Sequence, residues 1–308
     1  KAGSGKLVLG VNNSYKGDTN VSGGTLSLVS GGSLGSGSYA GAINLSGGAL
    51  LQYASIGDQV FSGKISGNGS LTKDTGGGKL TLSGANTYSG ITTINAGTLQ
   101  VGDGGSSGTL GTGSVTNNAS LVFIRGADTT LANTISGSGS VLAIITGNLT
   151  LSAGATVSST ENDIVLSASG NFFNNAGSAA LSATASNKRW LIYSTDPDLN
   201  TFGGLNSGAK AIWGRTYASL SPDSVSGRRY VFSASGGTGP INYSISPNVG
   251  SQLPSGTFNN LTAQAYTITA TDANGCTATS NITVTQPAAA LTATTTQVNV
   301  LCFGNSTG

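Results

Sequence analysis

Carboxylates are the groups in this chain most able to do chemistry. Asp18, Asp58, Asp74, Asp103 and Asp128 stand alone in the first half, while Glu161-x-Asp163 and Asp196-Pro197-Asp198 are close pairs. Two carboxylates on either side of a glycosidic bond can cleave it as acid and base or as acid and nucleophile, and clustered carboxylates can hold calcium. The solitary aspartates are spread far apart, and Asp18 and Asp74 occupy non-equivalent places in the repeat described below. Each close pair reads as a turn, a cap or a solvated edge. Asp272 with Asn274 also hints at calcium, but Asp-Ala-Asn-Gly is foremost hairpin-turn chemistry. His is absent, which removes the commonest general base and metal ligand and leaves the abundant serines without the partner a Ser nucleophile needs. Cys276 and Cys302 fit no zinc spacing, and Gly102-Asp103-Gly104-Gly105 lacks the Lys and helix of a phosphate loop. No catalytic, cofactor-binding or metal residue is assigned, no cofactor is expected, and the chain is read as not an enzyme.

The elements that carry these residues are short strands. Of 308 residues 49 are Gly, 37% are hydrophobic, 8% are charged, and the net charge is +2. Disordered chains of low hydrophobicity carry few β-branched residues and high net charge; here Val, Ile, Thr and Leu recur in short alternating runs, the pattern of an all-β chain with tight turns. So small a charge gives no electrostatic footprint for nucleic acid. No apolar run is long enough to span a bilayer, and no signal peptide is present. Met is absent, so the sequence reads as a processed or excised piece.

Residues 79–102, KLTLSGANTYSGITTINAGTLQVG, show the plan. Leu80 and Leu82 alternate with Lys79 and Thr81, the period of a strand with one buried face. Gly84-Ala85-Asn86 and Asn95-Ala96-Gly97 break the run, and Ile91, Ile94, Leu99 and Val101 resume the apolar supply. A shift of 73 pairs Leu7 with Leu80, Asn13 with Asn86, Tyr15 with Tyr88, Thr19 with Thr92, Gly24 with Gly97 and Leu26 with Leu99. A shift of 70 pairs Ile65-Ser66-Gly67 and Leu71 with Ile135-Ser136-Gly137 and Val141. Solenoid coils take about 20–30 residues, so one unit makes roughly three coils. Residues 1–158 are therefore expected to form about seven coils of a right-handed parallel β-helix. Asn12, Asn13 and Asn86 are expected at turns, in polar ladders between coils, and Tyr15 and Tyr88 at packed corners.

The run KDTGGGKLTLSGANTYSGITTINAGTLQVG at residues 73–102 closely resembles the autotransporter-associated β-strand repeat, of typical form G-x-G-x-L-T-L-S-G-x-N-T-Y-x-G-x-T-T-I-N-x-G-T-L. The first copy departs at Gly10-Val11 and Asp18-Thr19-Asn20. The resemblance implies a β-helical passenger stalk of a large bacterial surface protein and no catalytic residues.

Residues 159–232 gather both tryptophans, Trp190 and Trp213, with Phe172, Phe173, Tyr193, Phe202, Tyr217, Tyr230 and Phe232. A solenoid's last coil leaves an open edge that proteins cover, and an aromatic-rich cap is the expected role. The run from Asn171 through Arg189-Trp190-Leu191 and Asp196-Pro197 to Gly203-Gly204-Leu205 also resembles a segment of filamentous-haemagglutinin-like adhesins.

From residue 233 the strands lengthen. Tyr266, Ile268 and Ala270 alternate with threonines, Asp272–Gly275 turns, and Cys276–Thr279 starts a return strand, a hairpin of an antiparallel sandwich. Residues 233–287 resemble the SprB-type repeat of gliding-bacterial adhesins at Gly236–Pro240, Leu261, Tyr266–Thr269, Asp272–Cys276 and Gln286-Pro287, which implies an immunoglobulin-like module. Residues 288–308 resemble the start of a further repeat, so Gly308 reads as other than a natural end. Cys276 and Cys302 are either both unpaired or joined to each other.

The expected whole is a structural and adhesive segment of a secreted, extracellular cell-surface adhesin on the bacterial outer membrane, a stalk for attachment or gliding. Its expected partners are extracellular surfaces or glycans and, through the family, the outer-membrane secretion machinery. It is expected neither to bind nucleic acid nor to span the membrane. Two alternatives are a β-helical polysaccharide-degrading enzyme and a subunit that self-associates into a surface filament.

Overall fold

The structure, a computed structural model, describes residues 1–208, 210–234, 242–248, 251–252, 258–271 and 277–285. The chain divides into two compact units, Lys1–Gly236 and Gly237–Gly308.

The first unit is a parallel β-solenoid of about ten coils. Its first sheet has nine strands, running from Lys6–Leu9 through Thr25–Ser30 and Leu50–Ser55 to Leu181–Ala183. Its second sheet has ten, among them Ser38–Tyr39, Leu80–Leu82, Ser120–Arg125, Trp190–Ser194 and Arg229–Phe232. A third face holds Thr19–Val21, Ile43–Leu45 and Ile65–Gly67, then resumes with Thr129–Leu131, Leu149–Leu151 and Phe172–Asn174. Between these, residues 83–91 and 102–114 cross the third face without strand, and Tyr88 and Leu110 fill the interior there.

Alternation decides what enters the core. Leu80, Leu99, Leu121, Val141, Ile164 and Trp190 are successive register partners in the second sheet and all are buried. Each such side chain contributes about 1.5–3 kcal/mol on burial, and a coil has no core until its neighbours stack on it.

Coil length varies. In the first sheet Lys6 lies beside Thr25 and Thr25 beside Leu50, so successive coils take 19 and 25 residues. The row Leu7, Leu26, Leu51, Leu71 climbs three coils of that sheet. Leu80, the repeat counterpart of Leu7, lies in the next strand along the chain, on the second sheet. Val21 is on the third face and its counterpart Ile94 on the first sheet. The repeat thus spans three coils and one face, and its two copies are turned by one face of the solenoid.

Several expectations are corrected. Parallel pairing runs on past residue 158: Thr156–Ser159 pairs with Leu181–Ala183, Ile164–Ala168 with Trp190–Ser194, and that strand with Arg229–Phe232. The stack is therefore longer than seven coils, because the aromatic strands obey the same inward alternation as the earlier ones. Ile91 is half exposed; Thr92 faces inward in its place, its hydroxyl held by Tyr88. Tyr88 is a packed corner, but Tyr15 is 42% exposed, since it lies on the first coil and meets another ring on one side, that of Tyr39 at 5.7 Å.

In the second unit Ala265–Thr271 is the middle strand of an antiparallel sheet, flanked by Asn242–Ser246 and Thr277–Thr283. Ser251–Gln252 pairs with Phe258–Asn259. Tyr266 and Ile245 are buried. Asp272, Asn274, Cys276, Cys302, Gly236–Pro240 and Gln286-Pro287 lie outside the described residues, as do residues 288–308.

Candidate functional site

Three solenoid carboxylates are spent on joining coils. Oδ1 of Asp18 accepts the Ala42 amide at 2.9 Å, Oδ1 of Asp58 that of Lys79 at 2.8 Å, and Oδ1 of Asp128 that of Asn148 at 2.8 Å. Each acceptor sits one coil before its donor, where a turn leaves a backbone N–H outside the ladders, and an unpaired amide costs free energy. Asn86 does the same in both directions, accepting from Ile65 N at 2.7 Å and donating to Thr109 O at 2.7 Å. Asn86 thus bridges to the backbone of both neighbouring coils, whereas Asn12 and Asn13 stand in a short strand paired with Ser33–Leu34 rather than at a turn. Asn12 accepts from the Ser33 hydroxyl at 2.9 Å, and Asn13 donates to Ser33 O at 3.2 Å.

The close acidic pairs are likewise structural. Asp163 forms the one ion pair among the described residues, 3.3 Å from Arg189 Nη1, and also accepts the Arg189 amide at 3.1 Å. Glu161 is exposed. Asp196 caps the turn Pro197–Leu199 by accepting from Asp198 N at 3.0 Å. Asp103 accepts from Gly105 N at 3.2 Å within its own turn.

Alternation alone marks one residue that composition hides. Lys73 shares the inward parity of Leu71 on Ser70–Lys73 and is fully buried. Its ammonium donates to the carbonyls of Asp74 at 2.9 Å and Gly76 at 3.1 Å, and stands 5.6 Å from the centre of the Tyr53 ring. Burial pushes its pKa down, with the Asp74 charge acting against that. Burial would raise Asp74, but the Thr75 amide, Gln52, Asn95 and Lys73 together hold its carboxyl below the usual value. Gln52 reaches it at 2.6 Å. The cluster seals a corner, and its polar atoms are turned to protein partners.

The signature glycine of the repeat has a local cause. Gly24 and Gly97 hold φ at +62° and +70°, a region that costs other residues about 1–2 kcal/mol, and a Cβ on Gly24 would lie 2.2 Å from the Gly5 carbonyl oxygen.

One outer surface departs from the polar exterior. Val165, Leu191, Tyr193, Val225 and Val231 form a second apolar cluster on the outside of the second sheet, with Leu142, Ile212, Tyr217 and Leu220 packed against it. The segment 213–226 folds over that face, tied down by Tyr193 Oη to Leu220 O at 3.1 Å and Arg189 Nη2 to Pro222 O at 2.8 Å. Sequence reasoning missed this face, although Leu142, Val165 and Leu191 at outward parity are its signal.

Among the described residues no group of three or more His, Cys, Asp or Glu side chains converges, and no helix is long and apolar enough to cross a membrane.

The passenger-associated-transport-repeat family matches residues 1–28 and 67–101, the two copies found by the shift of 73. The chain is also similar to a protein named "Adhesin BmaC autotransporter" from Brucella suis biovar 1, 35% identical over 162 residues. That match covers 46% of this chain and 5% of the relative, so the chain spans a small part of the relative's length. No solved structure matches the chain. The protein carries autotransporter-type passenger repeats on a parallel β-solenoid.

Proposed function

We propose that this chain is the stalk of a secreted, cell-surface adhesin and acts by reach and contact rather than by catalysis. One observation carries the reading: Asp18, Asp58 and Asp128 are turned to backbone amides of the next coil and Asn86 to backbone groups of both neighbouring coils, which makes them fasteners of a long stack. The passenger repeats and the similarity to a protein named as an adhesin support the same reading. Stacked coils extend along one axis, and their outer turns offer Ser, Thr, Asn and Gly to a surface.

The segment of residues 195–228 serves as the cover of the last coils, supported by the Phe202 ring packed on those of Tyr230 and Phe232. The second unit is an immunoglobulin-like module of the SprB type. In support, Tyr266 Oη donates to Thr262 O at 2.9 Å, the back-bond of a tyrosine corner. Export through an outer-membrane route and a role in gliding or attachment follow from the resemblances.

The test is retention under flow. Beads coated with the purified chain should hold to glycan-bearing surfaces above beads coated with an unrelated globular protein. Equal detachment would overturn the adhesive reading.

A further inference from the structure

The outer face of the second sheet carries a groove of about 270 Å³ beside segment 213–226. Its floor is the register row Ile144, Ser167, Tyr193, which crosses three successive coils. Its far wall is Tyr217, whose ring stands at 87° to that of Tyr193 with centres 5.5 Å apart. Four hydroxyls line it without a hydrogen-bond partner among the described residues, those of Thr146, Ser167, Tyr217 and Ser233. Ser167 is itself buried, at 8% exposure. No charged side chain lines the groove.

These properties select a ligand class. A hydroxyl that opens to the groove and has no protein partner is free to bond a ligand in place of water. A carboxylate, sulfate or phosphate would meet no counter-charge and would lose its hydration. A peptide strand needs open backbone groups, and those of the sheet beneath are already spent in the ladders between coils. A lipid chain would leave the four hydroxyls unmatched. A hexopyranose has what remains: an apolar C–H face to lie against tyrosine, and neutral hydroxyls around its rim. The volume falls below the roughly 300–1,000 Å³ of drug-sized pockets, so it suits about one sugar ring of a longer chain lying across the coils.

We propose that the groove over Ile144 and Ser167, walled by Tyr217, is a binding site for a neutral pyranose unit of a surface polysaccharide. This deepens the adhesive reading and rests on it. The site lies wholly within the first unit, and its two walls are locked together by the Leu220 and Pro222 carbonyl contacts, so it is formed before any ligand arrives.

The experiment is calorimetric titration of the whole chain with maltohexaose, cellohexaose and laminarihexaose, and with hexagalacturonate as the acidic counterpart. At least one neutral probe should bind with millimolar or tighter affinity that added salt leaves unchanged. Tyr217→Ala should weaken it by about tenfold, in line with the upper end of aromatic contact energies. Thr146→Lys, an exposed position at the mouth, should weaken it likewise without touching the core, and decides the matter if Tyr217→Ala alters the fold. Absence of saturable binding by every neutral probe, tighter binding of hexagalacturonate, or wild-type affinity in Thr146→Lys would overturn the site. Bead retention separates the two readings. Both variants holding as firmly as wild type would overturn the groove as the adhesive contact and leave the stalk reading standing. Failure of wild-type beads to hold would overturn the stalk reading.

Discussion

The hydroxyl of Tyr88 lies 2.7 Å from Oγ1 of Thr92, and both side chains are buried. The counterpart pair one repeat earlier, Tyr15 and Thr19, keeps the same contact at 3.0 Å, although the two copies sit on different faces of the solenoid. The phrase around this tyrosine and threonine therefore forms the same corner regardless of which sheets it joins, and each copy also bonds the next coil, Tyr88 to the Gly111 backbone and Thr19 Oγ1 to Tyr39 Oη at 2.6 Å.

If the corner acts as a unit, Tyr88→Phe and Thr92→Val should each cost about 1 kcal/mol. The double variant should cost less than the sum of the two, since both remove the Tyr88–Thr92 bond. Thermal melts of the four proteins measure this, and additive losses would show the contact to be incidental.

High pH should loosen the solenoid. Burial raises the pKa values of Tyr39, Tyr53 and Tyr88 above the ordinary 10.0, and those of Tyr193 and Tyr230 to about 12. Groups raised in the folded state bind more protons there than in the unfolded chain. Their stabilisation is whole below pH 10 and is lost as pH climbs from about 10 to about 12. Lys73 runs the other way. Its folded pKa lies below 10.5, so its charge penalises folding at lower pH and the penalty is relieved as pH rises from that lowered value to 10.5. Five tyrosines outweigh one lysine, and denaturant midpoints should fall over this interval. Midpoints that hold steady or rise would contradict the burial assigned to these phenols.

Position within a coil should govern tolerance. Leu80→Asp places a carboxylate in the buried row beside its register partners Leu99 and Gln59 and should abolish cooperative melting, a loss above about 3 kcal/mol. Ile91→Asp, on a residue half exposed, should change stability by less than about 0.5 kcal/mol. A Leu80→Asp variant with the wild-type melting temperature would break the stacked-coil account.

The close acidic pairs should do no chemistry. Incubation of the chain with polysaccharides should release no reducing ends. Release that vanishes in Asp163→Asn or Asp196→Asn would replace the stalk reading with that of an enzyme.

Much of the fold can be read from sequence because a solenoid is local: Leu80, Leu99 and the motif glycines reveal strand, turn and repeat within one window. The angle between copies cannot be read that way. Coils of 19 and 25 residues make residue number a poor measure of rotation, so the shift of 73 shows that copies exist without showing where each one faces. Ile91 faces outward despite its apolar side chain, because the Tyr88–Thr92 bond decides which side turns inward. The aspartates could be doubted as catalysts from their spacing, but their amide partners lie one coil away and depend on register. The groove depends on segment 213–226 reaching an outer face laid down by three different coils, a contact no linear pattern announces.

The one-face turn between copies gives the repeat a compass. Whatever surface a copy presents, the next copy presents it a third of the way round, and a third copy would complete the circuit. Successive copies therefore distribute one motif evenly around the solenoid, so that no face is left without it.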